Sequence, residues 1–411
     1  LDPLLLNPRP SSKPIIPCEV VTGGAKNHRN LLAGAVIAYQ ADGDLCSVAC
    51  VTPGRFAPEG LEGSRPAARM AGTAECRCSS FSEEDAVERR PFKALGREVA
   101  VIGTGTWQLG VDRCEADPDE AVRTLQAAYE AGVDLIDTAD VYGDGRSERF
   151  VGRFLASHPD TGLTVATKMG RRLPPTELTY SRDSFRSWND RSRHNLGVES
   201  IDLVQLHSPP SELIEAPRVW ELLDDLVAEG RIRAYGVSVE TCGQALEAIR
   251  HPGCASVQLI VNVFRHKPLE EVLPAAHEAG TAVIARVPLP EGMLSHNRRR
   301  EPEPALPDPV ASLDAGWIFS VVPDDVAARA ARELASVCRE LVPEHVQPVQ
   351  VALRWLLDQE GITCILPDAR SPHQVRFNAQ AAALPPLDDD VHAALRDIYD
   401  RLIRVHVHSH W

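Results

Sequence analysis

The segment Val133-Asp-Leu-Ile-Asp137-Thr-Ala-Asp140-Val-Tyr142-Gly143, followed about 20 residues later by Leu163-Thr-Val-Ala-Thr-Lys168, decides the fold. Two short apolar runs flank an amphipathic stretch at 147–156, and such a stretch is what a parallel crossover between two buried strands needs. The same unit repeats outward in both directions. Strands are expected at 99–103, 133–137, 163–168, 201–207, 232–238, 256–262, 281–287 and 362–367. Helix-length stretches fall between them at 118–131, 147–156, 182–196, 217–229, 243–250, 269–279, 347–359 and 372–382. Gly132, Gly230, Gly280 and Gly361 stand where helices end and a left-handed residue is wanted. Eight βα units predict a closed (β/α)8 barrel, the TIM barrel, the count at which a parallel sheet removes its own edges. An open doubly wound sheet is the competing architecture. It would carry a G-x-G-x-x-G loop after an early strand, and the glycines of Gly103-Thr-Gly105-Thr-Trp107-Gln-Leu-Gly110 are wrongly spaced for it.

The seventh connection, 288–347, is out of proportion, with a Pro-rich charged stretch at 298–309 and a further helix expected at 324–341. On a barrel it emerges at the C-terminal face, where active sites are built. Composition narrows the classes. The chain of 411 residues has a net charge of −15, which argues against a protein that works by neutralising nucleic-acid phosphates. No apolar run approaches the roughly 18 residues of a membrane span, so neither a nucleic-acid nor a membrane role is expected.

Polar residues collect at the predicted C-terminal strand ends. Strand two ends in Asp137 with Tyr142 close behind, strand three in Lys168, strand four in His207, strand five in Ser238, and strand six carries Gln258 and Asn262. Taken singly, Asp137 is a loop organiser, Tyr142 a packing residue, Lys168 a solvated charge and His207 a structural histidine. Together they make a proton-donating set. A tyrosine hydroxyl, with an ordinary pKa of about 10, is a reluctant acid at neutral pH. A neighbouring ammonium stabilises the phenolate, and a carboxylate beside the ammonium holds it in place. A neutral histidine next to the tyrosine can orient a substrate oxygen. The set suits protonation of an oxyanion as it forms, which is the requirement of carbonyl reduction.

These residues resemble the aldo-keto reductase family. Ile136-Asp137-Thr-Ala-Asp-Val-Tyr142-Gly143 with Gly145-Arg-Ser-Glu148 is similar to the family's Asp/Tyr signature, Val165-Ala-Thr-Lys168 to its lysine strand, and Ile201-Asp-Leu-Val-Gln-Leu-His207 to its histidine strand. Gly236-Val-Ser238-Val-Glu240, Gln258 with Asn262, Ile284-Ala-Arg286-Val-Pro288-Leu289, and Pro367-Asp-Ala-Arg370 with Gln374 and Asn378 resemble its cofactor-binding segments, in order. The similarity covers 92–411. It implies NADPH-dependent reduction of a small-molecule aldehyde or ketone, with Tyr142 as proton donor, Lys168 and Asp137 tuning it, and His207 orienting the substrate. It also implies that Ser238 and Gln258 hold the nicotinamide carboxamide, and that Arg286, Pro288, Leu289 and Leu294 form the wall and loop over the pyrophosphate. Arg370, Gln374 and Asn378 are implied to face the adenosine phosphate and adenine, and Trp107 and Met169 to line the substrate pocket. No metal site is expected. Asp368 departs from the family's Gly or Lys, and a carboxylate beside a 2′-phosphate repels it, so NADH stands as a second cofactor beside NADPH. A cofactor-binding regulatory or scaffold protein on the same fold is the alternative reading.

Residues 1–91 read as a separate N-terminal extension of unknown role. Residues 1–90 hold ten Lys/Arg against eleven Asp/Glu, eight Pro, eight Gly, three aromatics and five of the ten cysteines. So little to bury predicts a largely disordered segment, either a poorly ordered extension or upstream sequence joined to the reductase by an early-placed start. The spacings Cys46-x3-Cys50 and Cys76-x-Cys78 do not match a zinc knuckle. Scattered cysteines of odd number on each side of the boundary are in keeping with reduced thiols in a cytoplasm.

Overall fold

The βα repeats pair in the order in which they occur along the chain. The computed structural model describes residues 87–110, 118–159, 161–290 and 322–411. An antiparallel hairpin, β1 (Arg89–Phe92) and β2 (Arg97–Ala100), comes first. The sheet then runs through β3 (Thr104–Gly105), β4 (Leu135–Asp137), β5 (Thr164–Met169), β6 (Ile201–His207), β7 (Ile232–Ser238), β8 (Cys254–Ile260), β9 (Ala282–Arg286) and β10 (Ile362–Leu366). Neighbours are parallel throughout. Parallel bridges from Ile102 to Ile365 and from Gly105 to Asp368 bring the last strand back to the first, so the eight strands form a nearly closed barrel.

Two differences from the sequence reading share one cause. The run 99–103 looks like one strand, but Arg97–Ala100 belongs to the hairpin and the barrel strand starts beyond Gly103. At Gly103 the chain squeezes past β10 and β4, where a Cβ would lie 2.7 Å from Leu366 Cδ2 and 2.9 Å from the Leu135 carbonyl. Residues 87–91, which composition assigned to the extension, open that hairpin instead. Arg90 donates to the carbonyls of Leu357 and Ile362 beside β10, and Arg97 pairs with Asp202 at 2.6 Å. Both uses of the run demand the same apolar residues, so periodicity cannot divide it. Residues 1–86 lie outside the described residues, as does Leu294 within 291–321.

Helices cover the outer face, among them Pro118–Glu130, Arg146–Ser157, Arg182–Leu196, Pro217–Ala228, Cys242–Ile249, Lys267–Ala279, Pro348–Leu357 and Pro372–Ala379. The additional helix Asp324–Leu341 has the bounds its amphipathic pattern predicts. Gly280 ends Lys267–Ala279 at φ 73°, returning its N–H to the carbonyls of Ala276 and His277. The apolar core has two parts. The larger lies between sheet and helices. The smaller fills the barrel interior with Leu135, Ala166, Leu203, Ala234, Ile284 and Cys364, stoppered by Phe92 and Val99 of the hairpin. Among the described residues no helix is long and apolar enough to cross a membrane, and no three His, Cys, Asp or Glu cluster as a metal site. Cys242, Cys254, Cys338 and Cys364 are buried free thiols.

Candidate active site

Above the apolar plug the barrel interior turns polar. Inward side chains recur every second residue along a strand, so β6 contributes Leu203 to the plug and then Gln205 and His207 above it. Register does the rest. Lys168 lies opposite Gln205, while His207, Ser238 and Gln258 fall level on three neighbouring strands. Asp137 arrives from β4 through its pairing with Ala166.

The loop carrying Tyr142 is fixed by hydroxyls and by two tight glycines. Thr106 Oγ1 donates to the Asp137 carbonyl at 2.9 Å, Ser147 Oγ to Thr106 Oγ1 at 2.7 Å, and Thr138 Oγ1 to Ser147 Oγ at 2.9 Å. The Ser147 N–H closes back on the Tyr142 carbonyl at 3.2 Å. Gly143 sits at φ 57° with the Gly110 carbonyl only 2.1 Å from where a Cβ would be, and a Cβ on Gly110 would meet Tyr142 at 2.9 Å. The Arg146 Nε also donates to that Gly110 carbonyl, at 3.0 Å. The Asp-Tyr-Gly spacing of the sequence thus serves to wedge Tyr142 against the short helix Trp107–Gly110.

Lys168 is 2% exposed and pairs with Asp137 Oδ2, while donating to the Thr138 carbonyl at 3.1 Å. Asp137 Oδ1 accepts from Gln258 Nε2 at 2.9 Å and from Gln205 Nε2 at 3.2 Å. The ammonium stands 5.3 Å from the centroid of the Tyr142 ring, within cation–π range. His207 meets the same ring edge-on, with centroids 5.9 Å apart at 84°. Asp137, Tyr142, Lys168 and His207 therefore share one cleft, together with Trp107, Ser238, Gln258, Arg286, Val287 and Asp368.

Ser238 Oγ lies 3.4 Å from Gln258 Oε1. Arg286 pairs with Glu240 at 2.9 Å, and Ser208 Oγ donates to the same carboxylate at 2.7 Å. Ser208 at φ 48° and Val287 at φ 49° follow His207 and Arg286 directly. A β-branched residue in the left-handed region is strained, and such strain collects where a site demands an exact side-chain direction. Asn262 does not line the cleft; it secures that turn by donating to the Val287 carbonyl at 2.9 Å. Pro288 is buried and Leu289 packs on the larger core. On the loop after β10, Arg370 donates to Gln108 at 2.7 Å, and its N–H to Gln374 Oε1 at 2.7 Å. Asn378 is buried and donates to the Asp368 carbonyl at 3.5 Å. These three sit beside the cleft mouth without lining the cleft. Met169 does not reach the cleft at all; it is 1% exposed and belongs to the larger core.

Two residues of this neighbourhood escaped the sequence reading. Gln205 was visible only as a polar residue inside the apolar strand Val204-Gln-Leu-His207, two residues before His207 and so on its face. Asp140 lies between Asp137 and Tyr142, is fully buried, and neither carboxyl oxygen has a hydrogen-bond partner among the described residues. Burial first, and then the neighbouring Glu148, push its pKa up to about 8 against the pull of Arg172 and Arg191.

Residues 101–400 match the family model of the aldo/keto reductases. The chain is 27% identical over 321 residues to a D-threo-aldose 1-dehydrogenase from a Pseudomonas species, a match covering 71% of this chain and 92% of that one. It is 26% identical over 344 residues to the NADH-specific methylglyoxal reductase of Escherichia coli, covering 77% and 100% respectively. Among solved structures, the glycerol dehydrogenase of Gluconobacter oxydans superposes with a TM-score of 0.62 at 28% identity, over 79% of this chain and 97% of that one.

Proposed function

The chain belongs to the aldo/keto reductase family, and from that premise we propose that it reduces an aldehyde or ketone to the alcohol, with Tyr142 as the proton donor. The observation that carries this reading is the convergence of Tyr142, Lys168, Asp137 and His207 on one cleft, with the Lys168 ammonium buried beside the tyrosine ring. A nicotinamide cofactor, when bound, supplies the hydride that adds to the carbonyl carbon. Tyr142 gives its hydroxyl proton to the carbonyl oxygen as charge develops there. The Lys168 ammonium stabilises the phenolate that remains, and Asp137 keeps that ammonium in position. His207 donates toward the same oxygen and fixes the carbonyl's orientation.

The donor set at the cleft fits a dinucleotide. Ser238 and Gln258 place a hydroxyl and an amide at its inner end, matching a carboxamide, and Arg286 places a guanidinium on its wall, matching phosphate. Arg370, which is bonded to Gln374, and Asn378, which is bonded to the Asp368 backbone, are assigned to the adenosine end. Asp368 is exposed at the cleft rim, so both NADPH and NADH are proposed as donors. The E. coli relative whose name specifies NADH is in keeping with this. The buried free thiols support a reducing, cytoplasmic setting.

The test is cofactor oxidation with a panel of aldehydes and ketones, comparing wild type with Tyr142→Phe. The variant is expected to lose about 10²–10⁴-fold in kcat while cofactor binding, followed by fluorescence, persists. Equal activity in the two proteins would refute the acid assignment. Inertness of both with intact cofactor binding would favour the regulatory or scaffold reading.

A further inference from the structure

Gln205 is placed inside the acid site yet serves the fold poorly. It is fully buried in the middle of β6, level with Lys168 on β5, and its Nε2 is 3.2 Å from Asp137 Oδ1. A carboxylate only accepts hydrogen bonds, so the amide must turn its NH2 toward Asp137. Its own Oε1 is then left buried, accepting from none of the described residues. A buried acceptor left in this state destabilises a fold. Immediately below it on the same face stands Leu203, in an interior layer that is otherwise apolar. An aliphatic side chain would suit the packing at least as well as the amide does.

The second observation concerns Asp137. Its Oδ1 takes two amides, since Gln258 Nε2 approaches to 2.9 Å from the opposite side of the barrel. Gln258 also lines the cleft and has its Oε1 beside Ser238. A Gln258 that turns toward a bound carboxamide withdraws its NH2 from Asp137. With no other donor, Oδ1 would then be a bare, buried carboxylate oxygen.

We propose that Gln205 is a positioning residue of the acid site, holding Asp137 from inside the barrel so that Gln258 is free to serve the cofactor. This rests on the carbonyl-reductase reading. Its consequence for Tyr142 follows from charge. Each amide on Asp137 offsets part of the carboxylate's negative field, and whatever remains opposes formation of the phenolate beside Lys168. Removing the Gln205 donor makes Tyr142 a weaker acid. The other titratable groups lining the cleft, His207, Arg286 and Asp368, are untouched by the change.

Gln205→Met keeps the length and removes the donor, and Gln205→Leu does the same with a shape already present at Leu203. For both, thermal unfolding is expected at or above the wild-type temperature. The value of kcat should fall about tenfold, the effect of losing one hydrogen bond to a charged group, with KM for the aldehyde changed less than about twofold. The alkaline limb of the kcat–pH profile, where the tyrosine loses its proton, should move to higher pH. Cofactor affinity, read by fluorescence without turnover, should weaken by about threefold as Gln258 is drawn back to Asp137. Wild-type kcat and an unmoved alkaline limb would overturn the proposal. So would an activity loss that tracks a lower unfolding temperature while the limb stays in place. Tyr142→Phe run alongside separates the two levels: if it is fully active the reductase mechanism fails, and if it is dead while Gln205→Met behaves as wild type, only the role of Gln205 fails.

Discussion

Asp140→Asn should stabilise the protein, and by an amount that grows with pH. The carboxyl of Asp140 is fully buried and neither oxygen has a partner among the described residues, while Glu148 stands close enough to repel its charged form. Its pKa rises from 3.8 to about 8 in the folded state. The folded protein therefore holds a proton that the unfolded chain releases above pH 4. Stability from this group is complete below the unfolded pKa and is lost progressively as pH climbs to the folded one. At ~1.4 kcal/mol for each tenfold change in proton affinity, the ceiling on that loss is roughly 6 kcal/mol. Arg172 and Arg191, which already donate to the Asp140 backbone carbonyl at 3.3 and 3.2 Å, can swing part of their charge toward an ionised carboxylate. A realised loss of about 2–4 kcal/mol by pH 9 is the expectation. The asparagine is neutral at every pH and its NH2 can face Glu148. Denaturant unfolding of both proteins at half-unit steps from pH 5 to 9 gives the difference directly, and titrations shared by the two, such as that of His408, cancel. The gap should already be open at pH 5, widen steadily to pH 8 and level off above it. A gap that is flat with pH, or a variant that is less stable at pH 9, would refute the assignment of a buried proton to Asp140.

Two further substitutions test the site and its support. Asp368→Gly removes the carboxylate at the cleft rim and should raise the ratio of kcat/KM with NADPH to that with NADH by roughly 3–10-fold, more at low ionic strength. An unchanged ratio measured in 20 and 200 mM salt would show that Asp368 does not face the distinguishing phosphate. Gly143→Ala forces a Cβ to within 2.1 Å of the Gly110 carbonyl at a left-handed φ. It should cost about 1–3 kcal/mol and pull Tyr142 out of line, so that kcat falls by more than the loss of folded protein explains. Circular dichroism melting and active-site-normalised rates check both halves of that statement.

The barrel was legible because a parallel strand covered on both faces reads as an apolar run. The helices between such runs announce their ends with Gly132, Gly230, Gly280 and Gly361, all of which have positive φ. Run 201–207 and helix 182–196 agree with β6 and Arg182–Leu196 to the residue. The first strand did not agree, since hairpin and barrel draw on the same Val99-Ala-Val-Ile stretch and only the close passage at Gly103 divides them. Tyr142, Lys168, Asp137 and His207 were legible because each is a polar residue at or just beyond the end of an apolar run. Met169 sits next to Lys168 in sequence but faces the opposite side of the strand, so nearness along the chain misled.

From the sequence alone came the count of eight units, the face on which the site is built and the residue types able to donate a proton. Each depends only on local periodicity and on what terminates a strand or a helix. Which of those residues touch depended on the tertiary structure. Lys168 meets Asp137, and two glutamines share one carboxylate oxygen, because eight strands close with a particular register. Register is a property of pairs of strands far apart in the chain, and a shift of one residue would have turned every one of these side chains to the helical face.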